Sequence, residues 1–300
     1  MKGLSLRGTL DARGILISDG AMGSALFAKG LEPGDCPDAL CLSHPEWIAE
    51  ISAAYRAAGA DIIQSNTFGA SPLKLADYGL EEKTEEINSE GVRIAREAAA
   101  GALVAGECGP CGGLLEPYGD IPVEAVFTSF KRQVAALARS GADFILFETM
   151  TDLNEALAAL RAAKEAAPDL PVWVSLTFDR TPRGFFTMMG QTVAQAAAAL
   201  EAAGTDGVGS NCGNGIEAMT AIAREFRAAT RLPVIIQSNA GLPEERDGGL
   251  HYPESPEFFG CHAPDLLEAG VTILGGCCGT TPEHIRTLRR AADDYHHRKA

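Results

Sequence analysis

The chain has 300 residues, 46% of them hydrophobic and 22% charged, which is enough apolar side chain for a sizeable core and too little polarity for a disordered polymer. Forty acidic residues against 25 basic ones give a net charge of −15, so phosphate backbones and anionic lipid are repelled, and neither nucleic acid nor a membrane is expected as a partner. Apolar runs such as 143–147 and 171–178 are far too short to span a bilayer, and MKGLSLRGTLDARG lacks the features of a secretory signal; a cytoplasmic protein is expected.

Eight short β-leaning runs recur along the chain: 15–19 (ILISD), 60–66 (ADIIQSN), 102–107 (ALVAGE), 143–149 (DFILFET), 171–178 (PVWVSLTF), 207–212 (GVGSNC), 233–239 (PVIIQSN) and 271–276 (VTILGG). Helical patterns separate them. The first puts Trp47, Ile48, Ile51, Ala54 and Tyr55 on one face, and the last does the same with Ile285, Leu288, Ala292 and Tyr295. Thr281, Pro282 and Glu283 suit a helix start there. Strands this continuously apolar are parallel and covered by helices, and eight such units in this length predict an α/β fold, a (β/α)₈ TIM barrel filling 1–300 as one domain. A doubly wound sheet would need a phosphate fingerprint after the first strand, and DGAMGSAL has the wrong spacing. The stretch 240–262 reads as the longest unstructured segment, either a lid over the site or a tolerated insertion.

Active sites of such barrels lie at the C-terminal ends of the strands. Those ends read Asp19-Gly20, Asn66-Thr67, Glu107, Glu148-Thr149, Thr177-Phe178, Asn211-Cys212, Ser238-Asn239 and Gly276-Cys277-Cys278, a rim of carboxylates, amides and thiols above apolar strands. Cys212, Cys277 and Cys278 form a three-thiolate set with a fourth position open, the pattern of a catalytic zinc rather than a closed structural one. Consecutive cysteines reach one ion only if the backbone leaves strand geometry, which Gly275, Gly276 and Gly279 permit. The plainer alternative is a vicinal pair of buried thiols. Zn²⁺ with three thiolates is a poor generator of hydroxide but takes an incoming thiol as its fourth ligand and deprotonates it, so thiol alkylation is the reaction class expected. Asp19 and Glu148 are an acid–base pair, a metal pair or a clamp for a substrate ammonium, against the simpler roles of turn cap and arginine partner. Gly20 and Ala21 offer backbone N–H groups for a substrate carboxylate, and Asn66 and Asn239 complete the candidate substrate-binding set.

DGAMG at 19–23, GADIIQSNTFGAS at 59–71, FETMTDL at 147–153, SNCG at 210–213 and GGCCGTTPEHI at 275–285 resemble the homocysteine S-methyltransferase family, most of all the homocysteine-binding barrel of cobalamin-dependent methionine synthases. The resemblance covers about 13–292. It implies zinc on Cys212, Cys277 and Cys278 and the homocysteine amino group at Asp19 and Glu148. Thr149, where the betaine-using branch has tyrosine, favours the methionine-synthase-like branch, and no role carries over to Glu107 or Cys108. No Asp-x-His-x-x-Gly corrinoid-ligand motif occurs, so the chain is not expected to bind corrinoid. The methyl group is expected from a separate methylcorrinoid protein or, alternatively, from a small cationic donor such as S-methylmethionine or betaine.

Other signals weigh less. Cys108-Gly-Pro-Cys111 reads as a coincidental loop pair; Cys36, Cys41 and Cys261 as ordinary thiols; His296 and His297 as solvated; His284 as a packed neutral imidazole; and Met188-Met189 as core. No lysine stands at a strand end, which argues against Schiff-base chemistry. A phosphate-binding isomerase or lyase and a non-enzymatic zinc-binding subunit are the remaining alternatives. The pattern leaves the oligomeric state open.

Overall fold

The computed structural model describes residues 5–246 and 249–299. Its eight barrel strands are β1 (Leu16–Ile17), β2 (Ile62–Gln64), β3 (Leu103–Cys108), β4 (Phe144–Met150), β5 (Val172–Leu176), β6 (Gly207–Asn211), β7 (Val234–Ser238) and β8 (Ile273–Gly276). All eight expected runs are strands. They hydrogen-bond in parallel in the order β1-β8-β7-β6-β5-β4-β3-β2. A parallel bridge between Ser18 and Ile62, with Asp61 N–H to Ile17 C=O at 2.7 Å and Asp19 N–H to Ile62 C=O at 3.1 Å, joins β2 back to β1. The fold is therefore a (β/α)₈ TIM barrel.

Eight helices cover it: α1 (Pro45–Ala57), α2 (Thr84–Ala98), α3 (Val123–Arg139), α4 (Leu153–Ala166), α5 (Val193–Ala203), α6 (Ile216–Ala229), α7 (Pro256–Glu268) and α8 (Pro282–Lys299). Alternation along each strand sorts the side chains. Ile63, Val104, Ile145, Val174, Val208, Ile236 and Leu274 point out into the helix layer. Leu16, Ile62, Leu103, Ala105, Phe144, Leu146, Trp173, Ile235 and Ile273 fill the interior, and Leu6 of the preceding helix Leu6–Arg13 closes that cluster from below. The same inward rows turn polar one or two residues higher, as Leu103–Ala105 leads to Glu107, Phe144–Leu146 to Glu148, and Ile62 to Gln64. The interior is a packed floor, and the site stands on it.

Three details depart from the sequence reading. Ala54 is exposed, because α1 turns Ile48, Ile51, Ser52 and Tyr55 inward instead. Segment 240–262 is not a long loop: Glu244–Arg246 pairs antiparallel with Gly249–His251, and α7 begins at Pro256, capped by Ser255; residues 247 and 248 lie outside the described residues. Met188 is exposed rather than core, since it follows a small hairpin, Asp179–Thr181 with Gly184–Phe186, that stands above β5. Among the described residues, no helix is long and apolar enough to cross a membrane.

Candidate functional site

Among the described residues three non-glycine residues adopt left-handed backbone, and all three are at strand ends facing one cavity: Asn66 (φ 51°), Thr149 (φ 58°) and Cys212 (φ 59°). Such conformations cost about 1–3 kcal/mol each and persist where the surroundings fix them. Thr149 is β-branched, so its strain is the greatest. Asn211 holds it: its Oδ1 accepts from Thr149 N–H at 2.7 Å and from Ser175 Oγ at 2.8 Å, while its Nδ2 donates to Thr149 Oγ1 at 2.7 Å. Asn211 Nδ2 also lies 3.9 Å from Cys277 Sγ.

Cys212, Cys277 and Cys278 come together from β6 and β8, their sulfurs within 4.8 Å of one another. β8 ends at Gly276, and a turn closed by Thr280 N–H to Cys277 C=O at 3.1 Å swings both cysteines to the same side. Of the three glycines, only Gly279 uses positive φ (78°), at the turn position that requires it. Gly275 and Gly276 serve close approach instead: a Cβ on Gly276 would stand 2.2 Å from Thr280 Oγ1. Hydrogen bonds from the Cys277 and Cys278 thiols push Cys212 down to about 3, whereas Cys278 is pushed up to about 11 and Cys277 well above the usual thiol range. Without a cation one proton leaves readily and two stay. Sulfurs bound to one tetrahedral zinc at about 2.3 Å lie about 3.8 Å apart; Cys212 Sγ and Cys278 Sγ are 3.8 Å apart. The donor set therefore fits a soft divalent metal.

The sulfurs form one wall of a cavity of about 390 Å³, whose other walls include Asp19, Gln64, Asn66, Glu107, Glu148, Met22, Gly23, Phe68 and Lys74. Asp19 accepts from Gln64 N–H at 2.8 Å and from Gln64 Nε2 and Ser18 Oγ, each at 3.2 Å. Burial still raises it to about 6. Among the described residues Glu148 has no arginine partner, and burial followed by the Asp19 charge lifts it to about 8. Glu107 is held well above the carboxylate range by burial and then by Glu148. Glu148 Oε2, Gln64 Oε1 and Gln237 Oε1 are buried acceptors without a donor. The cavity thus offers negative charge and lone pairs to a cationic group.

Ala21 N–H is not free as expected, because Thr280 Oγ1 accepts it at 3.1 Å; Tyr55 Oη reinforces this seam, donating to Ala21 C=O at 3.0 Å and Thr280 C=O at 3.1 Å. The anion-friendly position moves one residue on, to the helix Met22–Lys29, which has no side-chain cap and puts Met22, Gly23 and Ser24 on the cavity wall. Gly20 lines the cavity as expected. Asn66 also reaches it, but its Nδ2 bonds to Pro37 C=O at 3.1 Å. Asn239 does not line it; its N–H donates to Asn214 C=O at 3.0 Å.

Glu107, Gln64, Gln237 and Asn211 were given no role from sequence, although the inward alternation of each strand points to them. Lys74 reaches the cavity from a short helix, Pro72–Leu75, not a strand end; its Nζ is bonded to Asp77 at 2.8 Å, which keeps it protonated. Cys108 ends β3, and Cys111 follows it; burial raises both thiols, so neither is poised for redox chemistry. His284 is a buried neutral imidazole, taking Thr281 N–H at Nδ1 and facing Glu254 C=O through Nε2 at 3.0 Å.

Comparison with known proteins gives the family of the chain. The methionine synthases of Mycobacterium leprae and Mycobacterium tuberculosis are 33% and 32% identical over 93% and 92% of the chain, which spans about a quarter of their length (24%). The homocysteine methyltransferase MmuM from Escherichia coli superposes in its metallated form with a TM-score of 0.79 at 28% identity, covering 95% of this chain and 99% of that one. The carboxyl transferase domain of Rhizobium etli pyruvate carboxylase, at 14% identity and a TM-score of 0.54, shares the fold alone. The profile of the homocysteine S-methyltransferases matches residues 16–292, and the chain belongs to that family.

Proposed function

We propose that this chain is a zinc-dependent homocysteine S-methyltransferase acting in the cytoplasm, with 1–300 as one domain, and that Cys212, Cys277 and Cys278 hold the zinc. The observation that carries this is the meeting of three sulfurs with uncompensated buried carboxyls across one cavity. When bound, zinc supplies a fourth position in which a thiol is deprotonated at neutral pH and kept nucleophilic. The chain's own residues do the rest. Asp19 and Glu148 receive the substrate ammonium, and the N–H groups of Met22, Gly23 and Ser24 face its carboxylate. Asn211 braces Thr149 and Cys277, and Phe68 and Met22 reduce water at the reacting sulfur. The thiol sulfur takes the methyl carbon, the donor keeps the electron pair of the broken bond, and methionine is the product. Eight free cysteines fit a reducing compartment. A phosphate substrate does not suit walls lined by Asp19, Glu107 and Glu148.

For the donor, the reading is a methylcorrinoid carried outside this chain, supported by Thr149 and by the likeness to methionine synthases. A small sulfonium or ammonium donor is the second reading, favoured by the negative charge of the cavity. The test is zinc-loaded protein with homocysteine and, separately, methylcobalamin, S-methylmethionine, betaine and S-adenosylmethionine, scoring methionine. Zinc at one equivalent and methionine from one donor class are expected. Homocysteine left unmethylated by all four would overturn the proposal.

A further inference from the structure

Two cavity carboxyls have no task above, Asp38 and Glu107; Asp38 is engaged, accepting Gly69 N–H at 2.8 Å, which leaves Glu107. Its backbone is fixed on both sides: its N–H donates to Ser65 Oγ at 3.1 Å and its C=O accepts from Thr67 Oγ1 at 2.8 Å. The Leu103–Ala105–Glu107 alternation turns its side chain into the barrel, where it is 7% exposed and lines the cavity together with Asp19 and Glu148. A structural carboxyl at this depth would have a cation. Among the described residues the cavity wall offers only Lys74, which is committed to Asp77. An independent sign is that Gln64 Oε1 and Glu148 Oε2, buried atoms of two residues that line this cavity, have no donor among the described residues.

We infer that Glu107 is a specificity-determining residue, the third carboxyl of a seat with Asp19 and Glu148 that admits a primary ammonium, one acceptor for each of its three N–H groups. Burial and the charges of their neighbours raise Glu107 and Glu148 above the carboxylate range, so three acid groups do not confront one ammonium with three full charges. A group with fewer N–H donors leaves buried acceptors unpaired, which costs more than the contact itself gains. Thiols without the α-amine, and amines carrying methyl groups, are therefore refused at this seat even where the sulfur fits.

This rests on the homocysteine reading, and the test separates the two. Zinc-loaded wild-type protein, Glu107→Ala and Glu107→Gln are assayed for kcat/KM with homocysteine and with 4-sulfanylbutanoate, its analogue without the amine, and zinc and Tm are recorded for each. In Glu107→Ala the preference for homocysteine is expected to shrink by about tenfold or more, the worth of one charge-assisted hydrogen bond, with zinc content unchanged. Glu107→Gln, which keeps an acceptor in the same place, is expected to recover most of it. An equal loss on both thiols, or an unchanged preference in Glu107→Ala, would overturn the inference; should that variant fail to fold, a Glu107→Gln preference no better than tenfold below wild type does the same. If the wild type methylates neither thiol, the functional reading falls, and calorimetric binding of homocysteine against the analogue still decides for or against Glu107.

Discussion

The two ends of the barrel treat acid groups in opposite ways. At the N-terminal end Asp61 accepts Ile17 N–H at 3.0 Å and pairs with both Arg13 and Arg289; Asp143 accepts Val104 N–H at 2.7 Å and Arg96 at 2.7 Å; Asp206 accepts Val172 N–H at 2.8 Å. Thr272 Oγ1 does the same for Val234 N–H at 3.1 Å. Each of these residues precedes an even-numbered strand and caps the odd-numbered one beside it, so the charge is spent on closing the sheet. At the C-terminal end Asp19, Glu107 and Glu148 pair with no arginine or lysine among the described residues, and burial raises all three. A paired acid stabilises the fold. An unpaired one stores a demand for a cation that a substrate can meet.

The sulfur wall gives the largest effect through which that contrast can be broken. Replacing Cys212, Cys277 or Cys278 by Ala is expected to lower zinc content below one equivalent and thiol methylation by about 10³-fold or more, because the nucleophile loses its activation, with the barrel's circular dichroism preserved. Full activity in any one of the three removes that cysteine from the site. At the opposite end Asp61→Ala leaves Ile17 N–H without its acceptor and Arg289 with Asp293 alone; we expect a loss of about 2 kcal/mol in denaturant unfolding, the cost of a buried donor left unpaired, and a homocysteine KM close to wild type. A shifted KM with unchanged stability would erase the distinction between the two ends.

Much of this was legible before the structure. GAD at 59–61 and 141–143 and GTD at 204–206 repeat before β2, β4 and β6, each with its glycine at positive φ, so the stabilising end is written as a periodic signal. The eight apolar runs gave the strands, and their ends gave the cysteines, because side chains beyond a parallel strand's C-terminus converge on the barrel axis whatever their neighbours. What stayed hidden depends on contacts between distant segments. Thr280, 259 residues from Ala21, takes the N–H that looked free for a substrate, and Asn239 stays off the cavity wall, its N–H held by Asn214 C=O. Glu107 was hidden for a different reason: the inward period of β3 points to it, but the family motifs are silent there. Segment 240–262 misled because Gly, Pro and charge suit a tight hairpin as well as a loop.

Smaller effects sharpen the contrast from the acid side. Asp19→Asn and Glu148→Gln keep shape and remove charge, so homocysteine KM is expected to rise by about 10- to 100-fold, as for a lost charge-assisted hydrogen bond, while unfolding free energy stays or increases. That is the reverse of Asp61→Ala. Unchanged KM in both variants would refute the ammonium seat.

The pH dependence follows from the same carboxyls and is the smallest effect. Asp19 rises from 3.8 to about 6 and Glu148 from 4.5 to about 8, burial being the main cause in each. A carboxyl whose folded value is raised contributes stability that is complete below its unfolded value and is lost as pH climbs through the folded one. Metal- and substrate-free protein is thus expected to lose Tm between about pH 4 and about pH 8, and Glu148→Gln to flatten the upper part of that slope. Substrate runs the other way: an ammonium seats on ionised carboxyls, so homocysteine KM falls as pH rises from about 6 to about 8, by less than the tenfold per unit that one fully coupled proton allows. Parallel Tm curves for wild type and Glu148→Gln would mean that this carboxyl is already ionised when the pocket is empty, and that the cavity carries its charge without waiting for a guest.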